Sequence, residues 1–255
     1  MSFGTETIVT FLLVSSRLLA TLLVAPPFNG GVVPVRVRLG LAVSIGMLLA
    51  SGPLADAGQS VAGLSAPSLV VAVATQVVVG LVFGFFVQLL FSAFQVAGSV
   101  IDLSAGLSAG TLYDPITQSS IAPVGRLYQL VSMALLVSLD GHLLIVRGVI
   151  RSYEVAPMGA VDTAALGSAL TIGVGQLLVA ALEIGFPVLA ALLLTEVALG
   201  IASRAAPRMN IMAIGFGVKS LILFGVLGLG LPLLARATIN LLDVALRSGA
   251  SLIEG

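Results

Sequence analysis

The chain has 255 residues, of which 58% are hydrophobic and 9% charged, with a mean hydropathy of +1.19 and a formal net charge of zero. A soluble domain carries about 25% charged residues, so these proportions exclude a water-covered surface and identify an integral membrane protein. The balanced charge argues against nucleic acid as a partner, because phosphate binding needs clustered Lys and Arg, while the absence of cysteine excludes disulfides and a lone histidine, His142, excludes a zinc site of the usual kind.

A membrane helix takes about 20 mostly apolar residues. By that measure the expected fold is all-α and polytopic, with six hydrophobic segments: Ile8–Val24, Val37–Leu54, Leu69–Ile101, Val124–Leu139, Leu170–Leu199 and Ile211–Ala235. Breakers separate them: Pro26-Pro27 with Gly30-Gly31, then Pro53 and Pro67, the stretch Gly106 to Pro123, Pro157, and Pro207. The first twenty residues hold Glu6 and no basic leader region, so the first apolar run is expected to stay in the mature protein. Short linkers predict one membrane domain over residues 1–255. Its tail, Arg236 to Gly255, reads as a short amphipathic helix, with Leu241, Leu242, Ala245 and Leu252 opposed by Asp243 and Arg247.

Two features depart from an ordinary six-span protein. The third and fifth segments run to about 30 residues, roughly 45 Å of straight helix against a hydrocarbon core near 30 Å. They must tilt, kink or leave the membrane, and Pro187 offers the fifth a kink site. Six spans also put Arg36, Arg38, Arg204 and Arg208 on one side and Arg147, Arg151, Arg236 and Arg247 on the other, so the positive-inside rule returns a tie. Tryptophan is absent and tyrosine scarce, which leaves no aromatic belt. Much of this surface is therefore suited to face protein.

Gln76, Gly80, Gly84, Gln88, Ser92, Gln95 and Ser99 recur at three- and four-residue spacing and line one face of the third segment. Small residues let helices approach closely and amides bond across the contact, either within this chain or with another subunit. Charges inside apolar segments cost about 2.5–3.5 kcal/mol each on insertion scales, which singles out Arg17, Glu183, Glu196 and Lys219, the only lysine. Glu196 and Lys219 lie in successive segments, at a separation that allows them to pair. Each of the four is either part of a buried structural ion pair or part of a polar path for water or protons. His142, in LDGHLL, sits near a segment end, where a cap or backbone bond is the expected job.

No enzyme signature is present. Gly106-Leu-Ser-Ala-Gly110 has the letters of a hydrolase elbow but lies in a loop without the strand–turn–helix setting that exposes a nucleophile. A single histidine supplies neither a triad with a nearby acid nor a two-histidine metalloprotease motif. No phosphate loop and no cofactor site are read. The stretch GLSAGTLYDPITQSSIAP, Gly106 to Pro123, is instead a soft and nearly neutral interruption. Gly106 and Gly110 make it flexible, and Leu107, Leu112 and Tyr113 make it apolar. Asp114 before Pro115 reads as a helix N-cap followed by proline at the first helical position, and Pro123 starts the next helix the same way.

Three stretches carry a resemblance: RLLATLLVAPPFNGGVVPVRVRLGLA (Arg17 to Ala42), the Gly106 loop continued by DGHLLIVRGVIRSYEVAPMG (Asp140 to Gly159), and SRAAPRMNIMAIGFGVK (Ser203 to Lys219). In their order and spacing they resemble the FliR family of flagellar biosynthesis proteins of the type III export apparatus, which has a close relative in virulence injectisomes. Arg17, Pro34, Gly106, Asp114, Pro115, Gly141, His142, Pro157, Arg204, Pro207, Asn210, Gly215 and Lys219 match the family pattern. Arg208 stands where glutamine is usual and Gly217 where proline is usual.

The resemblance implies kinked helical hairpins that stack, with several copies of FliP-like and FliQ-like membrane proteins, into a helical cone around a channel, together with the larger export-gate subunit. Much of that cone rises out of the bilayer plane. It also implies residence in the bacterial inner membrane at the flagellar basal body, and unfolded flagellar proteins as substrates. The loop at Gly106, Leu107, Gly110, Leu112, Tyr113, Asp114 and Pro115 is similar to the family's plug, which keeps ions back when the channel is idle. The nearest alternative is the homologous subunit of a virulence injectisome export gate, and two readings of other classes stay open. One is a secondary transporter coupling ions through Glu183, Glu196 and Lys219, although Pro187 has no counterpart in the third segment and no inverted repeat is seen. The other is a helical scaffold with no conduit, in which the loop would tolerate change.

Overall fold

A computed structural model describes residues 4–29, 33–55, 65–107, 123–155, 163–206 and 211–251. The described residues form seven helices and no strand: α1 (Thr5–Val24), α2 (Val35–Ala50), α3 (Ala66–Ala105), α4 (Pro123–Ser138), α5 (Gly141–Val155), α6 (Thr163–Ala205) and α7 (Ile211–Ser251). Proline and glycine set the ends. Ala25, which precedes Pro26, is extended and closes α1 by donating its N–H to Thr21 O. Gly106 ends α3 with a φ of 78°, a left-handed conformation that a residue without a Cβ adopts freely.

Four stretches are long and apolar enough to cross a membrane: Glu6–Val24, Ala66–Ala105, Thr171–Ala205 and Ile214–Leu241. A fifth arises if Pro123–Ser138 and Gly141–Tyr153, bent by 72° at their junction, count as one broken span. Asp140 forms the bend. It has a φ of 56°, which Asp tolerates better than most residues, and its carbonyl accepts the first amide bonds of α5 from Leu143 and Leu144. This refines the six expected segments. The second and fourth become α2 and α4, each of 16 residues, or about 24 Å, too short to span alone. The third and fifth are longer than expected, at 40 and 43 residues. Pro187 lies inside α6, which continues through it, and α7 runs unbroken past Arg236 to Ser251.

The chain divides into two compact units. The first comprises Met1–Leu89, Leu136–Gly175 and Leu242–Gly255. Here α1 packs on α2, with Gly46 set so closely against Ser15 that a Cβ would overlap its hydroxyl. Leu13, Leu18 and Leu22 of α1 and Phe83 and Val87 of α3 are buried in this unit. The amphipathic α5 buries Ile145, Val149, Ser152 and Tyr153, a helical spacing, and touches α1.

The second unit comprises Leu90–Leu135 and Gln176–Leu241. Its core joins Phe94 and Ile101 of α3, Tyr128 of α4, Val188 and Leu192 of α6, and Leu223 and Leu227 of α7. In lipid no hydrophobic force drives helices together, so close packing and hydrogen bonds carry the association. The outward faces fit that setting: Leu229 is 84% exposed and Leu221 76%.

Candidate functional site

Gly106 and Leu107 are the described part of the expected plug. Leu107 is half-buried and packs against the core of the second unit. Gly110, Leu112, Tyr113, Asp114 and Pro115 lie outside the described residues. The base of the loop is well defined. Asp102, in the last turn of α3, is fully buried, and its Oδ2 accepts hydrogen bonds from the backbone amides of Val124 (2.9 Å) and Gly125 (3.1 Å). These are first-turn amides of α4, which lack partners within their own helix and attract negative charge. One carboxylate thus caps α4 from the far end of the loop. Four residues earlier, Gly98 meets the Gly125 backbone so closely that Gly98 has no room for a side chain, and a Cβ on Gly125 would stand a tight 3.2 Å from Gln95 O and Ser99 Oγ. The loop is clasped at its root.

Sequence reasoning did not single out Asp102, Gly98 or Gly125. A carboxylate at the end of an apolar run looks like a boundary marker, and its partners lie 22 and 23 residues away without a motif between. The usable signal was a charge inside a helix that could have run on without it.

At the same end of α3, Lys219 of α7 donates to Ser104 O at 3.4 Å and lies 3.4 Å from Glu196 Oε1 of α6. A cation at exposed carbonyls of a helix C-terminus complements the helix dipole. Lys219 is 18% exposed and Glu196 65%, so this group joins three helices and presents an acid outward.

Arg17 is 1% exposed. Its Nε donates to Gln76 Oε1 at 2.7 Å, its Nη1 donates to Ser152 Oγ at 3.0 Å, and the guanidinium stacks 3.8 Å from the Tyr153 ring centre. One planar cation so ties α1 to α3 and α5 inside the first unit. The face carrying Gln76, Gly80 and Gly84 turns toward α1. Gly80 abuts Arg17 O and Ala20, and a Cβ on Gly84 would come within 2.8 Å of Thr21 O. Thr21 Oγ1 donates to Gly80 O at 3.1 Å, and Gln88 accepts from Asn29 Nδ2. Gln95, farther along α3, is exposed.

Glu183 is exposed on α6 beside a cavity of about 290 Å³ in the second unit, lined also by Tyr128, Pro187, Arg236 and Asn240. Pro187 donates no amide hydrogen, so Glu183 O, four residues before it, loses its helical partner. Arg204 is exposed at the end of α6, and Gly215 is buried on α7 with Leu199 3.3 Å from where its Cβ would stand. Pro207 and Asn210 lie outside the described residues. His142 begins α5 with Nδ1 buried and no hydrogen-bond partner, so the expected capping bond is not made by that atom. Among the described residues no group of three or more His, Asp or Glu is placed to hold a metal.

Seven helices, four or five of them of membrane-crossing length and composition, define an all-helical polytopic membrane protein. Residues 8–244 match the model of the bacterial export proteins, family 1, and the chain belongs to that family. It is 32% identical over 223 residues to the flagellar biosynthetic protein FliR of Pectobacterium carotovorum subsp. carotovorum, covering 86% of this chain and 82% of the relative. Against the FliR of Escherichia coli K12 the identity is 30% over 220 residues, covering 86% and 83%. The surface presentation of antigens protein SpaR of Shigella flexneri is 26% identical over 197 residues, covering 77% and 75%.

Proposed function

We propose that this chain is a membrane subunit of a type III protein export gate, in its flagellar form, sited in the bacterial inner membrane at the flagellar basal body. The match to a bacterial export family over residues 8–244 carries this reading, and the flagellar relatives at 30 and 32% identity favour the flagellar form over that of SpaR at 26%. The chain acts as a structural part of a protein-conducting channel rather than as an enzyme, and the energy for export comes from other components. Its partners are FliP-like and FliQ-like proteins and a larger gate subunit, and its substrates are unfolded flagellar proteins.

Within that channel, the segment from Gly106 to Pro123 serves as the closure. Its composition supports this, with two glycines, three bulky apolar side chains and one charge. The clasp supports it as well, since a plug needs a flexible middle on a fixed root, and Asp102 and Gly98 fix both ends at one place. Deleting Gly106 to Gly110 tests the assignment. With the partner proteins co-expressed, the complex should still assemble while the membrane becomes leaky to ions. Conductance unchanged from the intact complex would remove the plug.

A further inference from the structure

We infer that Lys219 is a positioning residue for the closure, fixing the point at which the loop that begins at Gly106 leaves α3. The inference rests on the closure reading above. The last four carbonyls of a helix have no partner within it. In α3, Leu103 O accepts from the Gly106 amide at 3.2 Å, and Ser104 O accepts from Lys219 Nζ at 3.4 Å. Asp102, just before them, holds the amides of Val124 and Gly125 at the start of α4. Three consecutive residues thus hold the start of the loop, the helix that follows it and α7. Gly106 does not set the direction by packing, because a Cβ there would meet no atom within 4 Å. The direction is set by what holds the turn of α3 before it, and Lys219 is the part of that hold supplied by another helix.

The core aims this lysine. Lys219 stands four residues before Leu223 on α7, and Glu196 four residues after Leu192 on α6, so each shares a helix face with a core residue. Leu192 and Leu223 are buried with Ile101 of α3 in one cluster. That packing sets Lys219 Nζ 3.4 Å from Glu196 Oε1. An ammonium carries three donors, so the acid balances its charge and still leaves hydrogens to face Ser104 O. Between Ile211 and Arg236 the only charge is Lys219, so no other charged side chain of this stretch can take its place.

The test uses the full chain co-expressed with the FliP-like and FliQ-like proteins. Assembly is read by co-purification, and ion leak by a voltage-sensitive dye in intact cells, with the Gly106 to Gly110 deletion as the open reference. Lys219→Met should assemble and leak about tenfold more than the parent chain, as loss of one charge-assisted hydrogen bond allows. Lys219→Arg keeps a cationic donor and should stay closed. Lys219→Met combined with Glu196→Gln leaves no bare acid behind and should leak as much as Lys219→Met alone. No leak from an assembled Lys219→Met complex, while the loop deletion leaks, would overturn this inference and leave the closure reading standing. So would a leak that Lys219→Arg retains, or one that adding Glu196→Gln abolishes. No leak from the loop deletion would remove the closure reading and this inference with it. Where Lys219→Met does not assemble, Lys219→Gln is read in its place, and failure of both to assemble would assign Lys219 to the fold alone and overturn the inference.

Discussion

Gly125 donates its amide hydrogen to Asp102 Oδ2 across 3.1 Å, although 23 residues of chain separate the two. Val124 donates to the same oxygen, so a single carboxylate holds the start of α4 to the end of α3. Asp102→Ala would leave two buried amides without an acceptor, at roughly 1–3 kcal/mol each. The expected result is a clearly lower midpoint of thermal unfolding, followed by helical circular dichroism in detergent. Asp102→Asn keeps an oxygen acceptor, and its midpoint should fall between those of the alanine variant and the parent chain.

The glycine contact below the clasp is steric. A methyl group at Gly98 would land on the backbone of Gly125, and overpacking of this kind costs about 1–3 kcal/mol. Gly98→Ala should therefore be destabilising even though alanine is by about 1 kcal/mol the better helix former. A midpoint raised above that of the parent chain would mean that α3 and α4 do not meet there.

Glycines on two helices should respond in opposite ways. Gly84→Leu drives a side chain into Thr21 and Val24 of α1 and is expected to destabilise the chain on its own, without any partner present. A Cβ at Gly228 on α7 would meet no atom within 4 Å beyond its own stretch of helix. Gly228→Leu should fold at least as well as the parent chain, and if α7 packs on the proposed FliP-like and FliQ-like partners its effect should show only on co-purification with them. Equal unfolding midpoints for the two variants would contradict this division.

Arg17 cannot be replaced by the other common cation. Its two nitrogens reach Gln76 and Ser152 in different directions while its plane covers Tyr153, and a lysine ammonium offers a single point charge. Arg17→Lys should lower the unfolding midpoint by an amount matching roughly 1–3 kcal/mol. An unchanged midpoint would assign the buried arginine no structural part.

The apolar segments were legible because their length and their Pro and Gly breaks are local properties. The start of α4 at Pro123 was legible for the same reason. The helix α5 was not read as a segment, because Arg147 and Arg151 depress its hydropathy, and only the spacing of Ile145, Val149, Ser152 and Tyr153 marks it. The face at Gln76, Gly80 and Gly84 was legible as a packing surface, but its partner was not. Periodicity says which residues share a side, and only the folded chain supplies Arg17 and Thr21 opposite them. Asp102 shows the limit most plainly, since its role depends on a turn of chain that brings Val124 and Gly125 back to it.

The central claim, that this chain serves flagellar protein export, is tested most directly in a strain lacking its gene. Hook and filament proteins would be assayed inside the cells and in the culture supernatant, with the gene restored as control. The expected result is that both proteins are found inside, are missing outside, and return to the supernatant on complementation. Continued appearance of hook and filament proteins in the supernatant of the deletion strain would contradict the account.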